Sequence, residues 1–213
     1  MAFKPLFSIA AIAVCLLASP GAFGQRWSFG IAGGASLTDD FRNAAIGTYL
    51  SEAGVLVSVV HRFYSTSKDY IVGPMVELRL PLHLSVEVEG LYRPLNYTSA
   101  AVSPDGSLVG VSPATVVTWE FPVLAKYRFP LRPAQPFIEL GPSFRSSGNL
   151  NNAEPSNHGF TAGVGVEGHL VGRLKVTPVV RYTRWGRDGE FARHTVSPLT
   201  IRDQMEFLVG FSF

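Results

Sequence analysis

His83, Ser85 and Glu87 alternate in "HLSVE", so an extended chain would put all three on one face. A serine, a histidine and an acid gathered beside an acyl chain are what nucleophilic lipid chemistry needs. That face carries many further charges, however, and lies at a tight turn where a lipid tail would not reach. The preferred reading is a hydrogen-bonded polar network. His194 and Ser197 have no acid that can be placed beside them. The five histidines (His61, His83, His158, His169 and His194) show no paired spacing, and the single cysteine, Cys15, falls in an N-terminal apolar run. No zinc pattern follows. "GIAGGAS" (Gly30–Ser36) contains glycines but opens a strand, not the helix that a phosphate loop requires. No catalytic residue, metal or cofactor is expected.

The chemistry that the spacing does support is ionic. In "PMVELRLPLHLSVEVEG" (Pro74–Gly90), Glu77, Arg79, Glu87 and Glu89 alternate with Val76, Leu78, Leu84, Val86 and Val88. Such alternation means strands with one apolar and one charged face. Pro81-Leu82 leaves room only for a reversal between them. The same charged face continues down the chain. It carries the acids Glu77, Glu87, Glu89, Glu120, Glu139, Glu167 and Glu206 and the bases Arg79, Arg93, Lys126, Arg128, Arg145, Lys175 and Arg181. Acids and bases are equal in number. A solvated outer face would be rich in lysine and aspartate, whereas every aspartate here falls in a loop or at a strand boundary.

Eight period-two segments would position these residues: Arg26–Ser36, Asp69–Leu80, His83–Tyr97, Thr115–Phe129, Phe137–Arg145, Gly159–Leu170, Leu174–Trp185 and Gln204–Phe213. Short connections (Pro81-Leu82, Pro130–Pro136, Val171–Arg173) take turns with long ones (Leu37–Lys68, Thr98–Ala114, Ser146–His158, Gly186–Asp203). That is the signature of an up-and-down barrel, and a β-sandwich has no reason to produce it. The expected fold is all-β: an eight-stranded antiparallel up-and-down transmembrane β-barrel. "GVLVSVVHRFY" (Gly54–Tyr64) is read as an outward extension of the second strand. With "NAAIGTYL" (Asn43–Leu50) it would instead add a hairpin and give ten strands.

In this frame the valines and leucines face lipid and the charges face a narrow bore, where they must pair. Aromatics fall into two girdles. Trp27, Tyr127, Phe129, Phe137, Phe211 and Phe213 stand at the turn end. Tyr70, Tyr92, Tyr97, Trp119, Phe160, Tyr182 and Trp185 stand at the loop end. Phe137 and Trp185 are out of register with the lipid face, which calls for a bulge or a strand end. Pro74, Pro94, Pro122, Pro142 and Pro178 interrupt candidate strands, and of these the central Pro178 fits least well.

The front end sets the compartment. Lys4, the apolar run Leu6–Ala18, the break at Ser19-Pro20-Gly21 and the small residues Ala22 and Gly24 read as a secretory signal peptide over residues 1–24. Val14 does not suit lipoprotein cleavage before Cys15. Residues 25–213 then form one barrel domain with 17 basic and 16 acidic residues. Its near-neutral charge gives no general attraction for nucleic acid.

The last nine residues, "MEFLVGFSF", alternate apolar positions and stop on an aromatic. Here the chain resembles the small bacterial outer-membrane β-barrel proteins of the OmpA- and OmpX-like class. The resemblance implies insertion in the outer membrane with the signal peptide removed, and a terminal strand read by the assembly machinery through Phe207, Phe211 and Phe213. The expected partners are outer-membrane lipid and lipopolysaccharide, and the expected state is a monomer. The resemblance implies no particular activity. The expected role is a plugged structural module or one for surface recognition and adhesion. A narrow passive pore and a lipid-modifying enzyme are the alternatives. "RYTRWGRDGEFAR" (Arg181–Arg193) reads either as an interfacial anchor or as a contact for lipopolysaccharide phosphates.

Overall fold

The computed structural model describes residues 27–52, 55–66, 70–131, 133–149, 153–171, 174–189 and 198–213. The signal-peptide segment lies outside them. Eleven strands follow in chain order: β1 (Trp27–Ser36), β2 (Ala44–Glu52), β3 (Val55–Ser65), β4 (Tyr70–Arg79), β5 (Leu84–Glu89), β6 (Leu91–Val102), β7 (Leu108–Arg128), β8 (Gln135–Asn149), β9 (His158–Val171), β10 (Leu174–Trp185) and β11 (Asp203–Ser212).

Eight staves close into an antiparallel barrel. β5 and β6 form one of them, because the register with β7 runs unbroken from Val88↔Val123 to Leu91↔Glu120. Around the barrel the staves run β1, β4, β5/β6, β7, β8, β9, β10, β11, and β11 returns to β1 through pairs from Gly30↔Ser212 to Ser36↔Glu206. Gly73 sits where β4 approaches this composite stave, and a Cβ there would collide with the Gly90 carbonyl. Only glycine fits so close an approach.

Loop one differs from the preferred reading. Gly54–Tyr64 does not lengthen the second barrel strand. β2 and β3 make a separate hairpin, and β3 pairs with β6 from Ser65↔Tyr97 to Val60↔Val102. The cause is the backbone of β6. Its register with β4 reaches only Val72↔Tyr92, and the part beyond needs another partner to fill its ladder. The hairpin is therefore not a barrel stave.

The expected loop at 98–114 is also a strand pair for most of its length. β6 and β7 continue past the barrel rim to a turn at Ser103–Ser107. Gly106 takes a positive φ of 84° there, and the Asp105 carboxylate accepts hydrogen bonds from the Ser107 amide (2.9 Å) and hydroxyl (2.7 Å). Those bonds hold the exposed Asp105 carboxyl below its ordinary pKa. At about 3.4 Å per residue, the 21 residues of β7 extend roughly 70 Å. That is well over the roughly 25 Å apolar band of an outer-membrane barrel.

Prolines fall where a ladder already has a gap. β10 pairs with β9 at Val176↔Gly168 and Val179↔Gly165 but not between, so the missing donor of Pro178 costs no bond on that side. The β11 ladder runs through Pro178↔Val209. Pro142 keeps its β9 partner Phe160, while the β7–β8 ladder omits Val123 and Leu124 opposite Gly141 and Pro142.

The faces are as expected. Trp27, Phe29, Ile31, Phe121, Leu140, Phe160 and Val164 are exposed on the outside, whereas Glu77, Glu87, Glu139, Glu167, Lys126 and Arg181 are buried within. The girdles hold with three exceptions. Tyr70, Tyr92 and Trp119 meet in a row at the loop end, the first pair tilted and the second edge-on, and Tyr127 meets Phe129 edge-on at 5.2 Å at the turn end. Phe137, Trp185 and Tyr97 are buried instead. No bulge is needed for Phe137 and Trp185: both point into the bore, where cations lie over their rings. Inward apolar residues that the charge pattern did not reveal (Ala32, Ile71, Met75, Leu91, Val179 and Leu208) pack with Phe137 on the β10–β4 side.

Candidate functional site

Alternation sends the charged side chains inward, and closing eight staves brings them within ion-pair range. Nine of the fourteen expected lumen residues form one cluster toward the turn end. Arg128 bridges Glu77 (2.5 Å) and Glu167 (2.8 Å). Arg79 does the same at 3.2 and 2.6 Å. Lys126 reaches Glu87 at 2.5 Å, Glu139 at 3.6 Å and Glu77 at 4.0 Å. Arg181 binds Glu139 at 2.5 Å and Glu87 at 3.2 Å, and also pairs with Glu89 across the bore. The cluster holds five acids and four bases.

A second cluster lies toward the loop end. Arg93 meets Asp40 (3.0 Å), Glu206 (3.4 Å) and Glu120 (3.6 Å), and Arg145 binds Glu120 at 2.8 Å. No ion pair within 4 Å links the two clusters among the described residues, so the paired charges form two separate networks. Lys175 departs further. It is half-buried and has no carboxylate within 4 Å among the described residues, because its position near the turn-end mouth gives its ammonium access to water. Asp40 was the unforeseen member. It belongs to loop one, which folds back over the rim, and burial pushes its carboxyl up while Arg93 pulls it down.

Neutral groups complete the filling. Ser143, Thr161 and Thr183 form a hydroxyl chain across β8, β9 and β10 at 2.6 and 2.7 Å. Gln204 Oε1 accepts from Trp185 Nε1 (2.7 Å) and Arg145 Nη2 (3.1 Å). The Arg145 guanidinium lies 3.8 Å from the Trp185 ring centre, and Lys126 Nζ lies 4.5 Å from that of Phe137. Each adds a cation–π contact in a desolvated place. A cavity of about 10 Å³ remains beside Met75, Glu87 and Arg181, roughly the space for one water.

Above the clusters the mouth carries an apolar cap built from Phe41, Phe63, Leu95, Tyr97, Val116 and Ala153. Loops hold it in place through backbone bonds: Ile201 N–H to the Asp40 carbonyl, Arg42 N–H to Leu199 and Gly189 N–H to Glu154. Sequence reasoning missed this cap because its members come from two loops and three strands. The only local hint was apolar residues on segments read as loop.

The serine–histidine–acid grouping does not form. His83 sits in the turn with φ near 62° and is exposed. Ser85 Oγ accepts from Arg128 Nη1 at 2.7 Å, and Glu87 is taken by Lys126 and Arg181. The basic rim divides. Arg181 is a lumen residue, and exposed Arg184 pairs with Asp203 at 3.4 Å. Arg187 lines a mouth cavity, and residues 190–197 lie outside the described residues.

At the seam, Phe29 and Phe213 exchange backbone bonds of 3.2 and 3.1 Å, and Ser28 Oγ donates to the Phe213 carbonyl. Phe207, Phe211 and Phe213 all point outward and are exposed.

No family model matches the chain, and no curated protein does. Among solved structures it is similar to the outer membrane protein OprG from Pseudomonas aeruginosa. The TM-score is 0.52 at 14% identity, over 87% of this chain and 94% of that one. The fold is that of an outer-membrane β-barrel. A second structure, the transport unit of the autotransporter AIDA-I from Escherichia coli, matches over 97% of each chain at 12% identity. Its TM-score of 0.32 is too low to bear on the fold.

Proposed function

We propose that the protein is an integral outer-membrane barrel with a sealed bore that serves as a structural and surface-recognition module. The observation that carries this reading is the filled lumen. Two ion-paired clusters, the inward apolar residues packed beside them and an apolar cap at the mouth occupy the bore, with a cavity of about 10 Å³ beside Met75, Glu87 and Arg181. The outward belt of Trp27, Phe29, Ile31, Phe121, Leu140 and Val164 supports lipid contact, because exposed apolar surface of this extent is costly in water. The four-stranded sheet β2–β3–β6–β7 rising past the rim supplies the surface for recognition. Outer-membrane lipid, lipopolysaccharide and the assembly machinery are the partners, with no catalytic role.

Two experiments test this. Arginine at exposed Val164, on the outward apolar belt, lowers folding stability in lipid vesicles by about 2–4 kcal/mol. Arginine at exposed Ser107 costs little. Equal effects at the two positions would remove the membrane assignment. Replacing the rim segments 37–69 and 98–114 with short turns abolishes binding to lipopolysaccharide-coated surfaces and leaves the barrel folded. Undiminished binding by the trimmed barrel would remove the recognition role.

A further inference from the structure

We propose that the loop-end mouth holds a binding site for a phosphate monoester, formed by Arg42, Arg187 and Arg202. This deepens the surface-recognition reading and rests on it. The three arginines, with Asp188, Leu199 and Thr200, line a cavity of about 190 Å³. They come from segments far apart in the chain. The backbone brings them together: Phe41 bridges Thr200, Arg42 N–H donates to the Leu199 carbonyl at 2.8 Å, and Ile201 N–H to the Asp40 carbonyl at 2.8 Å. Arg42 is thereby fixed beside the segment that carries Arg202.

Among the described residues the charges are left uncompensated. Among the described residues Asp188 is the one acid in the lining, and its oxygens are already engaged. Oδ2 accepts the Thr200 amide at 2.7 Å, and Oδ1 accepts the Thr200 hydroxyl at 2.6 Å and the Ser156 amide at 3.4 Å. Arg202 donates through Nε to the carbonyls of Trp185 and Gly186 at 3.1 Å each, which anchors its plane and leaves its terminal nitrogens for a ligand. Arg42 and Arg187 have no side-chain partner among the described residues. Elsewhere in the mouth and lumen, arginines such as Arg93, Arg145 and Arg181 are paired with carboxylates. Three arginines grouped around a cavity, with no ion-pair partner among the described residues, mark a place for an external anion.

Charge and size select the class. Three cations and one anion give the lining a net charge of +2. A dianionic phosphate monoester neutralises it and offers three terminal oxygens to three guanidinium forks, whereas a carboxylate offers two oxygens and one charge. The cavity is smaller than the roughly 300–1,000 Å³ of drug-sized pockets, so it takes a phosphorylated head group and not a nucleotide. Such a group comes either from a soluble phosphosugar or from a phosphorylated lipid head group at the membrane surface.

The test uses the folded full-length barrel in phosphate-free detergent micelles, titrated calorimetrically with inorganic phosphate and with glucosamine phosphate. A second arm measures association with nanodisc lipid A in phosphorylated and dephosphorylated forms. The expected result is saturable one-to-one binding of the phosphorylated species in at least one arm. R42Q and R187Q each weaken it by about tenfold or more. Neither substitution removes a described contact, and heat-modifiable gel mobility verifies folding. R62Q, an exposed arginine on β3, leaves binding unchanged. Binding in the micelle arm identifies a soluble ligand, and binding confined to phosphorylated lipid A identifies the lipid. Absence of binding in both arms, indifference to R42Q and R187Q, or equal weakening by R62Q overturns the site. Such a failure would leave ion conductance, and with it the sealed-bore reading, untouched.

Discussion

Glu120→Ala costs the folded barrel about 3–5 kcal/mol, read from urea refolding titrations in lipid vesicles. Glu120 is the only acid that Arg145 pairs with among the described residues, at 2.8 Å, and Arg145 is buried. Its Nη1 already lacks a partner among the described residues, so it has little in reserve once Glu120 is gone. Gln204 Oε1 at 3.1 Å and the Trp185 ring are neutral and cannot replace a carboxylate. Glu139→Ala is the informative contrast. Arg181 keeps Glu87 and Glu89, and Lys126 keeps Glu87. The loss there is well below that of Glu120→Ala. The double variant Glu120→Ala/Arg145→Ala is more stable than Glu120→Ala alone, because it removes the stranded charge along with its partner. If Glu120→Ala and Glu139→Ala had equal cost, local pairing would not be what governs the bore.

Deleting Phe213 reduces the amount of folded protein in the outer-membrane fraction to a small part of wild type. The residue closes the seam: its amide and carbonyl both bond with Phe29, and its carbonyl also takes Ser28 Oγ. Its loss opens the end of the β1–β11 pairing. The proper control is the exposed turn Ser103–Ser107 at the far tip of the β6–β7 hairpin. The 150–157 connection is not neutral, since Ala153 belongs to the apolar cap and the Ser156 amide bonds to Asp188. Heat-modifiable gel mobility of membrane fractions separates the two deletions. Equal levels would mean that closure at Phe213 does not limit assembly.

The staves were legible because a barrel wall imposes a two-residue period on each strand separately. Glu87, Val88 and Glu89 announce their faces without reference to anything distant. Partner identity was less legible. That Arg181 would reach Glu89, or Arg93 would reach Glu206, depends on bore width and stagger, which no single strand encodes. Inward Leu208 and Val179 were hidden because both faces of those strands are apolar there. Phe137 and Trp185 looked misplaced only while aromatics were assigned to girdles. Asp40, Phe41 and Arg42 show the limit most clearly. Their roles in the ion cluster, the apolar cap and the arginine-lined cavity come from one loop folding back onto residues 199–201. No local pattern foretells such a return.

The central claim is that the bore is sealed, and single-channel recording of the purified wild-type protein in planar bilayers tests it most directly. Buried ions persist in a narrow barrel only when paired, and the proposed seal rests on the pairs, the inward apolar residues and the cap that occupy the bore among the described residues. The account predicts a silent bilayer for wild type at a protein level where folded barrels are verified in the membrane. Intermittent leak appears only when Glu120→Ala or a disrupted cap loosens the filling. A steady unitary conductance from wild type, unchanged by Glu120→Ala or Glu139→Ala, would contradict it.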